Sequence, residues 1–387
     1  MTRNTTDVIV IGGGVIGSSI AYHLSLKKIK VLLLEKDGPA AGSSGSCDGA
    51  VLLQSKKPGI HLKLAQASIE RFPRLAEELP YPIHFKNNGS IVVIRTEKEM
   101  EIMRRFTEEQ SRHGLQVDLL ERGPARELEP ALAENILGAA FSSTDGQINP
   151  IRLTIGFTLG ARDKGARVVT GEEVRNIEVK DGRVGLVNTD RGSYSAGVVV
   201  NATGALAPEI GKMVGIELPI KPRRGQLLVT RAVQPMVRRC LLTANYIAAK
   251  FDPEIAKQGD QGVSVDQTSK GNFLLGSTRE FVGYDRRTTL AGMAGIARRA
   301  AEVIPGLAGL EIIRSFAGLR PYTPDGLPIL GHVDGIDGLV MAAGHEGDGI
   351  ALSPITGALI AQLIAGEPTE VPLDDFRFSR FSERSAA

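Results

Sequence analysis

Cysteine is scarce in this chain of 387 residues: only Cys47 and Cys240 are present. Two thiols so far apart supply neither a CxxC pair, a zinc knuckle nor a four-cysteine cluster, which excludes an iron–sulfur centre held by the chain itself. No uninterrupted apolar run reaches the roughly 18 residues of a spanning helix, although 42% of the residues are hydrophobic. Blocks of one charge are also missing. Lys and Arg number 46 against 44 Asp and Glu, a net charge of +2, without the basic stripe that a phosphate backbone selects, so nucleic acid is excluded as a partner. There is no HExxH, no cluster spaced to ligate a metal and no Ser/His/Asp set, so no metal is expected. Neither a solenoid repeat nor a low-complexity tract occurs, and only the end of the chain after Asp375, with "SRFSERSAA", reads as a frayed tail, residues 376–387. The first strand begins by Asp7, which leaves no room for the charged and apolar regions of a secretory signal, and a cytoplasmic location is the expectation.

What is present starts with "DVIVIGGGVIGSS", residues 7–19. An apolar, mostly β-branched run followed at once by three glycines and then a helical pattern reads as strand, tight turn and helix. In Gly12-x-Gly14-x-x-Gly17 the first glycine permits the turn, the second lets backbone approach a pyrophosphate, and the third lets helix and strand pack closely. The next strand, "KVLLLE", ends in Glu35, where the ribose hydroxyls of a dinucleotide belong. An acid there disfavours a 2′-phosphate and leaves NAD or FAD. At this length two domains are the natural expectation.

The middle of the chain separates the two cofactors. Residues 165–208 read as short strands with Asp-Gly and Arg-Gly turns, then an apolar strand ending in Ala202-Thr203-Gly204. A strand that returns to the nucleotide sheet so late implies an inserted second domain, whereas an NAD fold is usually completed in one stretch. Residues 80–101 and 222–280 carry the alternating, glycine-punctuated pattern of an antiparallel sheet, with a helix at 97–113. "GLVMAAGHEGDGIALSPITGALIAQLIAG", residues 338–366, reads as strand, glycine-rich turn and long helix that return the chain to the cofactor domain.

With these landmarks placed, the chain resembles the D-amino-acid oxidase (DAO) superfamily of FAD enzymes, in the branch of glycine oxidase, sarcosine oxidase and their dehydrogenase relatives. The resemblance rests on "VIVIGGGVIGSSIAYHL", "GSSGSCDGA", "VVVNATGALAP", "PRRGQLL", "GLRPYTPDGLPILG" and "AGHEGDGIALSPITG", in the family's order across residues 7–365. "SGSCDGAVLLQSKKPGIHLKLA" and "GHEGDGI" are most similar to the flavin chains of opine oxidase and hydrogen cyanide synthase type. The implied fold is α/β: a Rossmann-type, glutathione-reductase-like FAD domain from 1–80, 145–220 and 316–375, interleaved with an α+β substrate domain on a mixed or antiparallel sheet from 81–144 and 221–315.

The resemblance also implies roles. Gly12, Gly14, Val15, Ile16, Gly17, Glu35 and Lys36 would hold the dinucleotide half, with Val174, Ala202, Thr203 and Gly204 beside it. Ser43, Ser44, Cys47, Asp48 and Gly49 would run beneath the ribityl chain and ring, and Asp48 could also meet the substrate amine. Gly347, Asp348, Gly349 and Ile350 would bring a helix N-terminus to the ring edge. Arg320 would clamp a substrate carboxylate with its planar fork, with the Tyr246 hydroxyl beside it and His345 reaching in from the glycine turn. The loop "FDPEIAKQGDQG" after Tyr246 departs in length from relatives, and His61 reads as a helix-surface residue.

The implied reaction is oxidation of a carbon–nitrogen bond by hydride loss to flavin N5, giving an imine that water hydrolyses. Covalent-flavin members carry a cysteine where this chain has "RPYTPD", so the FAD is expected to be non-covalent. Glycine oxidase has a cation where this chain has Gly347, so glycine, sarcosine, D-amino acids, proline-like rings and opines stay open. Oxygen, or partner subunits carrying iron–sulfur or a second flavin, could take the electrons, and homo- or hetero-oligomers are compatible with either. Oxidation of a 2-hydroxy acid or glycerol 3-phosphate, or a non-catalytic flavin-carrying subunit, are the rival readings.

Overall fold

A strand covered on both faces must be apolar along its whole length, and Val8 to Ile11 are all buried. In the computed structural model, which describes residues 4–251 and 262–383, this run is part of the strand Asn4–Ile11. It pairs in parallel with Val31–Glu35 on one side and Ser193–Asn201 on the other. Arg167–Thr170 extends the sheet beyond Val31–Glu35, and Leu339–Ala343 extends it beyond Ser193–Asn201, both in parallel. Ile329–His332 closes that end antiparallel, and the hairpin Val174–Lys180 and Arg183–Thr189, turning at Asp181-Gly182, is joined to Ser193–Asn201. The late strand thus lies directly beside the first one, as its apolar run and Ala-Thr-Gly ending lead one to expect.

The helices Val15–Leu26, Pro150–Asp163 and Gly349–Ile364 pack together beneath this sheet through a common core that includes Ile20, Leu24, Phe157, Leu352 and Ile355. Entry into the first of them is set by space. Gly12 has φ +107°, and a Cβ on it would lie 2.7 Å from the carbonyl oxygen of Ala202. A Cβ on Gly17 would lie 1.9 Å from the carbonyl oxygen of Gly12. Only glycine lets strand, turn and helix come this close.

The second sheet is mixed. Its order runs Ile312–Tyr322, Lys221–Thr230, Phe273–Gly276, Ser264–Gln267, Cys240–Thr243, Ser90–Ile94, Gly138–Ser142 and Asp118–Glu121. Only Cys240–Thr243 against Ser90–Ile94 is parallel among the described pairs. The helix Glu97–Arg112 beside it opens with a capping box, Thr96 accepting from the Glu99 N–H and Glu99 from the Thr96 N–H.

Three expectations are corrected. The boundary at 316 falls inside a single strand, because Ile312–Tyr322 pairs antiparallel with Lys221–Thr230 from Thr230↔Ile312 to Lys221↔Tyr322. It belongs to the second sheet throughout. The stretch after Asp375 is not frayed at its start: Phe376 is fully buried, and Arg380 donates to both oxygens of Asp325 at 2.8 and 3.2 Å. His61 is buried rather than on the helix surface. Most of "FDPEIAKQGDQG" lies outside the described residues. No helix among the described residues is long and apolar enough to cross a membrane.

Gly17→Ala is expected to lower the unfolding free energy by about 2–4 kcal/mol, because the added methyl meets backbone that cannot yield. Gly38→Ala, where a Cβ meets nothing within 4 Å, is the control expected to stay within about 0.5 kcal/mol of the parent in urea unfolding.

Candidate functional site

The two sheets meet along a seam made by the loop that follows Glu35. Ser44 accepts a hydrogen bond from the Val15 N–H at 3.0 Å, at the start of the first helix, while Ser43 donates to the Leu319 carbonyl in the second sheet. Ser46 passes so near Gly318 that a Cβ there would be 2.3 Å from its carbonyl oxygen. Along this seam runs a cavity of about 500 Å³. The glycine turn and Glu35 line it, and so do Arg320, Tyr246 and His345.

Most residues singled out from the sequence line this one cavity. Gly12, Gly14, Val15 and Ile16 do so at the turn, with Glu35, Lys36, Val174, Ala202, Thr203 and Gly204 around them. Ser43, Ser44, Cys47 and Asp48 form a side wall, and Gly347, Gly349 and Ile350 bring in the start of the helix Gly349–Ile364. Glu35 accepts from the Gly13 N–H at 2.6 Å and the Asp37 N–H at 2.8 Å, so its carboxylate is fixed at the turn. Burial, reinforced by Asp48, pushes the Cys47 thiol well above its ordinary range, so it is no nucleophile.

Three residues fall elsewhere. Gly17 sits beneath the turn, packed on Gly12. Gly49 does not line the cavity: it is glycine because the Ile148 carbonyl oxygen lies 1.8 Å from where a Cβ would be. Asp348 turns away into a buried ion pair, accepting from Lys56 Nζ at 2.9 Å with His61 Nε2 at 3.3 Å. It borders a separate, smaller cavity instead.

Arg320 stands on the strand Ile312–Tyr322 and lies across Gly225, where a Cβ would be 2.3 Å from its Nη1. Nη1 donates to the Thr278 carbonyl at 3.0 Å and Nη2 to the Ser277 hydroxyl. Arg223 is its direct cross-strand neighbour. Like charges so placed repel, and burial followed by Arg320 and Arg279 lowers Arg223 to about 9. Arg223 is nevertheless held, by an ion pair with Glu346 and by the Tyr322 ring 4.7 Å away. Glu346 itself adopts φ 51° and accepts from the Gly347 N–H.

His345 is buried at the cavity wall, its Nε2 3.1 Å from the Thr356 hydroxyl, and burial lowers it to about 3. It is a neutral imidazole at any physiological pH. Behind the Asp48 wall, Ser264 donates to Asp48 at 3.1 Å, and burial followed by the Asp48 charge raises Asp266 to about 7.

Sequence reasoning missed Lys56, Arg223, Arg279 and Glu346. The first two stand in "LQSKKPG" and "PRRGQLL", and two adjacent arginines in the first half of a strand that ends in Leu227, Leu228 and Val229 were the one signal available. A turn that presents backbone rather than side chains, a fixed acid after the second strand and an arginine in the same cavity wall define a dinucleotide-dependent oxidoreductase.

Residues 7–363 match the family described as FAD dependent oxidoreductase, DAO, and the chain belongs to that family. Its cofactor is FAD, and the glycine turn lining the cavity offers the close backbone approach that a pyrophosphate needs. Among its relatives, the hydrogen cyanide synthase subunit HcnC of Pseudomonas protegens is 32% identical over 97% of this chain and 96% of that protein. Glycine oxidase of Geobacillus kaustophilus is 32% identical over 97% of each chain. The crystal structure of glycine oxidase from Geobacillus kaustophilus matches with a TM-score of 0.89 at 30% identity, over 98% of this chain and 99% of that one. That of L-proline dehydrogenase from P. horikoshii matches at 0.90 and 26% identity, over 99% of each.

The unfolded chain protonates its imidazoles near pH 6.5, whereas folded His345 refuses a proton down to about pH 3. Its contribution to stability is therefore complete above pH 6.5 and is lost as pH falls from there towards 3. Relative to His345→Gln, the parent is expected to lose about 2 kcal/mol of unfolding free energy between pH 7 and pH 5, read from urea unfolding of both proteins.

Proposed function

We propose that the chain oxidises the carbon–nitrogen bond of a small amino acid or N-substituted amino acid. The observation that carries this reading is Arg320, held across Gly225 by Ser277 and Thr278 in the wall of the same cavity that the glycine turn lines. A guanidinium fixed in this way presents a planar fork suited to a carboxylate. The names of the relatives, glycine oxidase, L-proline dehydrogenase and a hydrogen cyanide synthase subunit, support the same substrate class.

Gly12, Gly14, Val15 and Glu35 would hold the adenylate and pyrophosphate half of the FAD, and Ser43, Ser44, Cys47, Gly349 and Ile350 the flavin half. When bound, the flavin supplies a two-electron acceptor for the hydride of the substrate α-carbon. Arg320 and the Tyr246 hydroxyl hold the carboxylate, and this positioning directs one C–H bond inward. Asp48 lies on the wall to take the amine, whose lone pair must be free as the C–N bond gains its second bond. Neutral His345 adds no charge that would oppose loss of hydride. The substrate gives up two electrons and becomes an imine, and water converts the C=N bond to a carbonyl and a free amine. No dedicated acid–base pair is required.

The electrons then pass to dioxygen or to a partner chain. Cys47 and Cys240 cannot supply the ligands of a cluster, so on the second route any iron–sulfur centre belongs to the partner.

Anaerobic addition of glycine, sarcosine, D-amino acids, proline and opines to the flavin-loaded protein is expected to bleach the flavin with at least one of them. Arg320→Met is expected to lower kcat/KM for that substrate by about 100-fold or more. Fast recovery of colour in air identifies dioxygen as acceptor, and persistent bleaching identifies a partner. Bleaching by glycerol 3-phosphate or a 2-hydroxy acid, with none by any amine, contradicts the proposal.

A further inference from the structure

We propose that Arg286 is a cofactor-binding residue, carried to the diphosphate of FAD by a strap, residues 280–289, that reaches out from the second sheet. The inference rests on the cofactor and not on the substrate reading above, so a failure of amino-acid oxidation leaves it standing. The strap leaves the second sheet at Glu280, whose backbone exchanges hydrogen bonds with that of Arg224 at 2.8 and 3.0 Å. It returns at Thr288 and Thr289, bonded to the Ser315 hydroxyl at 2.9 Å and to the Gln226 side chain at 2.7 Å. Between these points it touches two other segments. The Tyr284 hydroxyl donates to the Ala205 carbonyl at 3.3 Å and to Glu209 at 3.4 Å, beyond the strand Ser193–Asn201, and Arg286 Nη2 donates to the Ser46 hydroxyl at 3.2 Å, in the loop after Glu35. Tyr284 and Arg286 both line the large cavity, as do the residues they hold.

The charge of the wall shows why a cation is needed. Among the described residues that line the cavity, Lys36, Arg286 and Arg320 are the only lysines and arginines, and carboxylates outnumber them more than twofold. A dianionic diphosphate entering such a wall is repelled unless a positive charge meets it. Arg320 is held in the second sheet by Thr278 and Ser277, and Lys36 follows Glu35, whose carboxylate is fixed at the glycine turn. Arg286 instead contacts Ser46, in the loop whose Ser44 accepts from the Val15 N–H at the start of the first helix. Backbone N–H groups at that turn offer dipoles but no formal charge. The planar fork of an arginine adds the charge and can meet two phosphate oxygens at once.

The strap also keeps Arg286 from the acid beside it. Asp285 accepts from Nε and Nη2 of Arg287, both at 2.9 Å, and stands 3.4 Å from Arg224 Nη1. Of the two adjacent arginines, one is therefore spent on the strap's own carboxylate, while the other turns to a neutral hydroxyl. Among the described residues no carboxylate lies within ion-pair distance of Arg286. Ser46 takes one of the five N–H donors that a guanidinium carries. Arg286 is exposed, so its charge carries little burial penalty, and its attraction for a phosphate is open to screening by salt.

The test is calorimetric titration of the deflavinated chain with FAD, ADP and adenosine at low and high ionic strength. ADP carries a diphosphate and adenosine does not. Arg286→Met is expected to weaken FAD and ADP by about 10- to 100-fold at low ionic strength, with adenosine affinity and thermal midpoint unchanged. The loss is expected to shrink as salt is raised. Arg286→Lys keeps the charge but loses the fork, so an intermediate loss is expected; it also serves if the methionine variant does not fold. Parental affinity for FAD and ADP in Arg286→Met, or in Arg286→Lys where only that variant folds, overturns the proposal. An equal loss for adenosine overturns it as well, because the strap would then be a scaffold and not a phosphate ligand. A loss for FAD with none for ADP places Arg286 against the flavin half and overturns it too.

Discussion

Everything in this molecule depends on how closely backbone can approach backbone at the seam between its two sheets. Gly12 against Ala202 and Gly17 against Gly12 bring strand and helix together at the end of the first sheet, with distances that leave no room for a methyl group. At the other side of the seam, Gly318 lets the loop carrying Ser43 to Cys47 run directly over the second sheet. The cavity is what remains between these contacts. A dinucleotide bound at the glycine turn therefore extends towards the second sheet, where Arg320 stands. The glycine turn on one sheet and Arg320 on the other are brought to one cavity by one set of steric limits.

The polar groups around Arg320 are organised by the same seam. Three arginines crowd a region that burial makes unfavourable for charge. They are tolerated because Glu346, in a left-handed conformation before the long helix, reaches Arg223, and because Ser277, Thr278 and the Tyr246 carbonyl hold the other two. The buried pair of Lys56 and Asp348 joins the segment after the second strand to the turn before the last long helix. Pairs of this kind add little net stability but are costly to break, so they fix geometry more than they strengthen the fold. His345, kept neutral by burial, adds no charge to the cavity wall.

Much of the fold was legible because its signals are local. The run from Val8 through Gly17 states a strand, a turn and a helix in consecutive residues, and the apolar stretch ending at Asn201 states the strand that returns beside it. Arg320 was legible through its motif. Residues whose partners lie far away in the chain were not. Nothing near Lys56 announces Asp348, and Asp348 read as a cofactor contact because its turn is glycine-rich. His61 read as exposed because a helix pattern does not reveal which turn of chain will cover it. Gly49 looked like part of a flavin-binding loop, yet it is glycine because of Ile148 on another segment. Arg279 lies outside the regular strands, where no periodicity points inward, and only the folded chain places it beside Arg320. The boundary at 316 was misplaced for a related reason, since pairing with Lys221–Thr230 carries the strand through the motif that marks the return to the first sheet.

The most direct test of this account is calorimetric titration of the deflavinated chain with FAD, FMN and NAD. If the glycine turn and Glu35 hold the adenylate half while the seam holds the flavin half, FAD binds once per chain. FMN and NAD, each lacking one half, then bind more weakly by at least about 100-fold. Equal affinity for FMN and FAD would show that the glycine turn contributes nothing to binding, and would contradict the arrangement on which the rest depends.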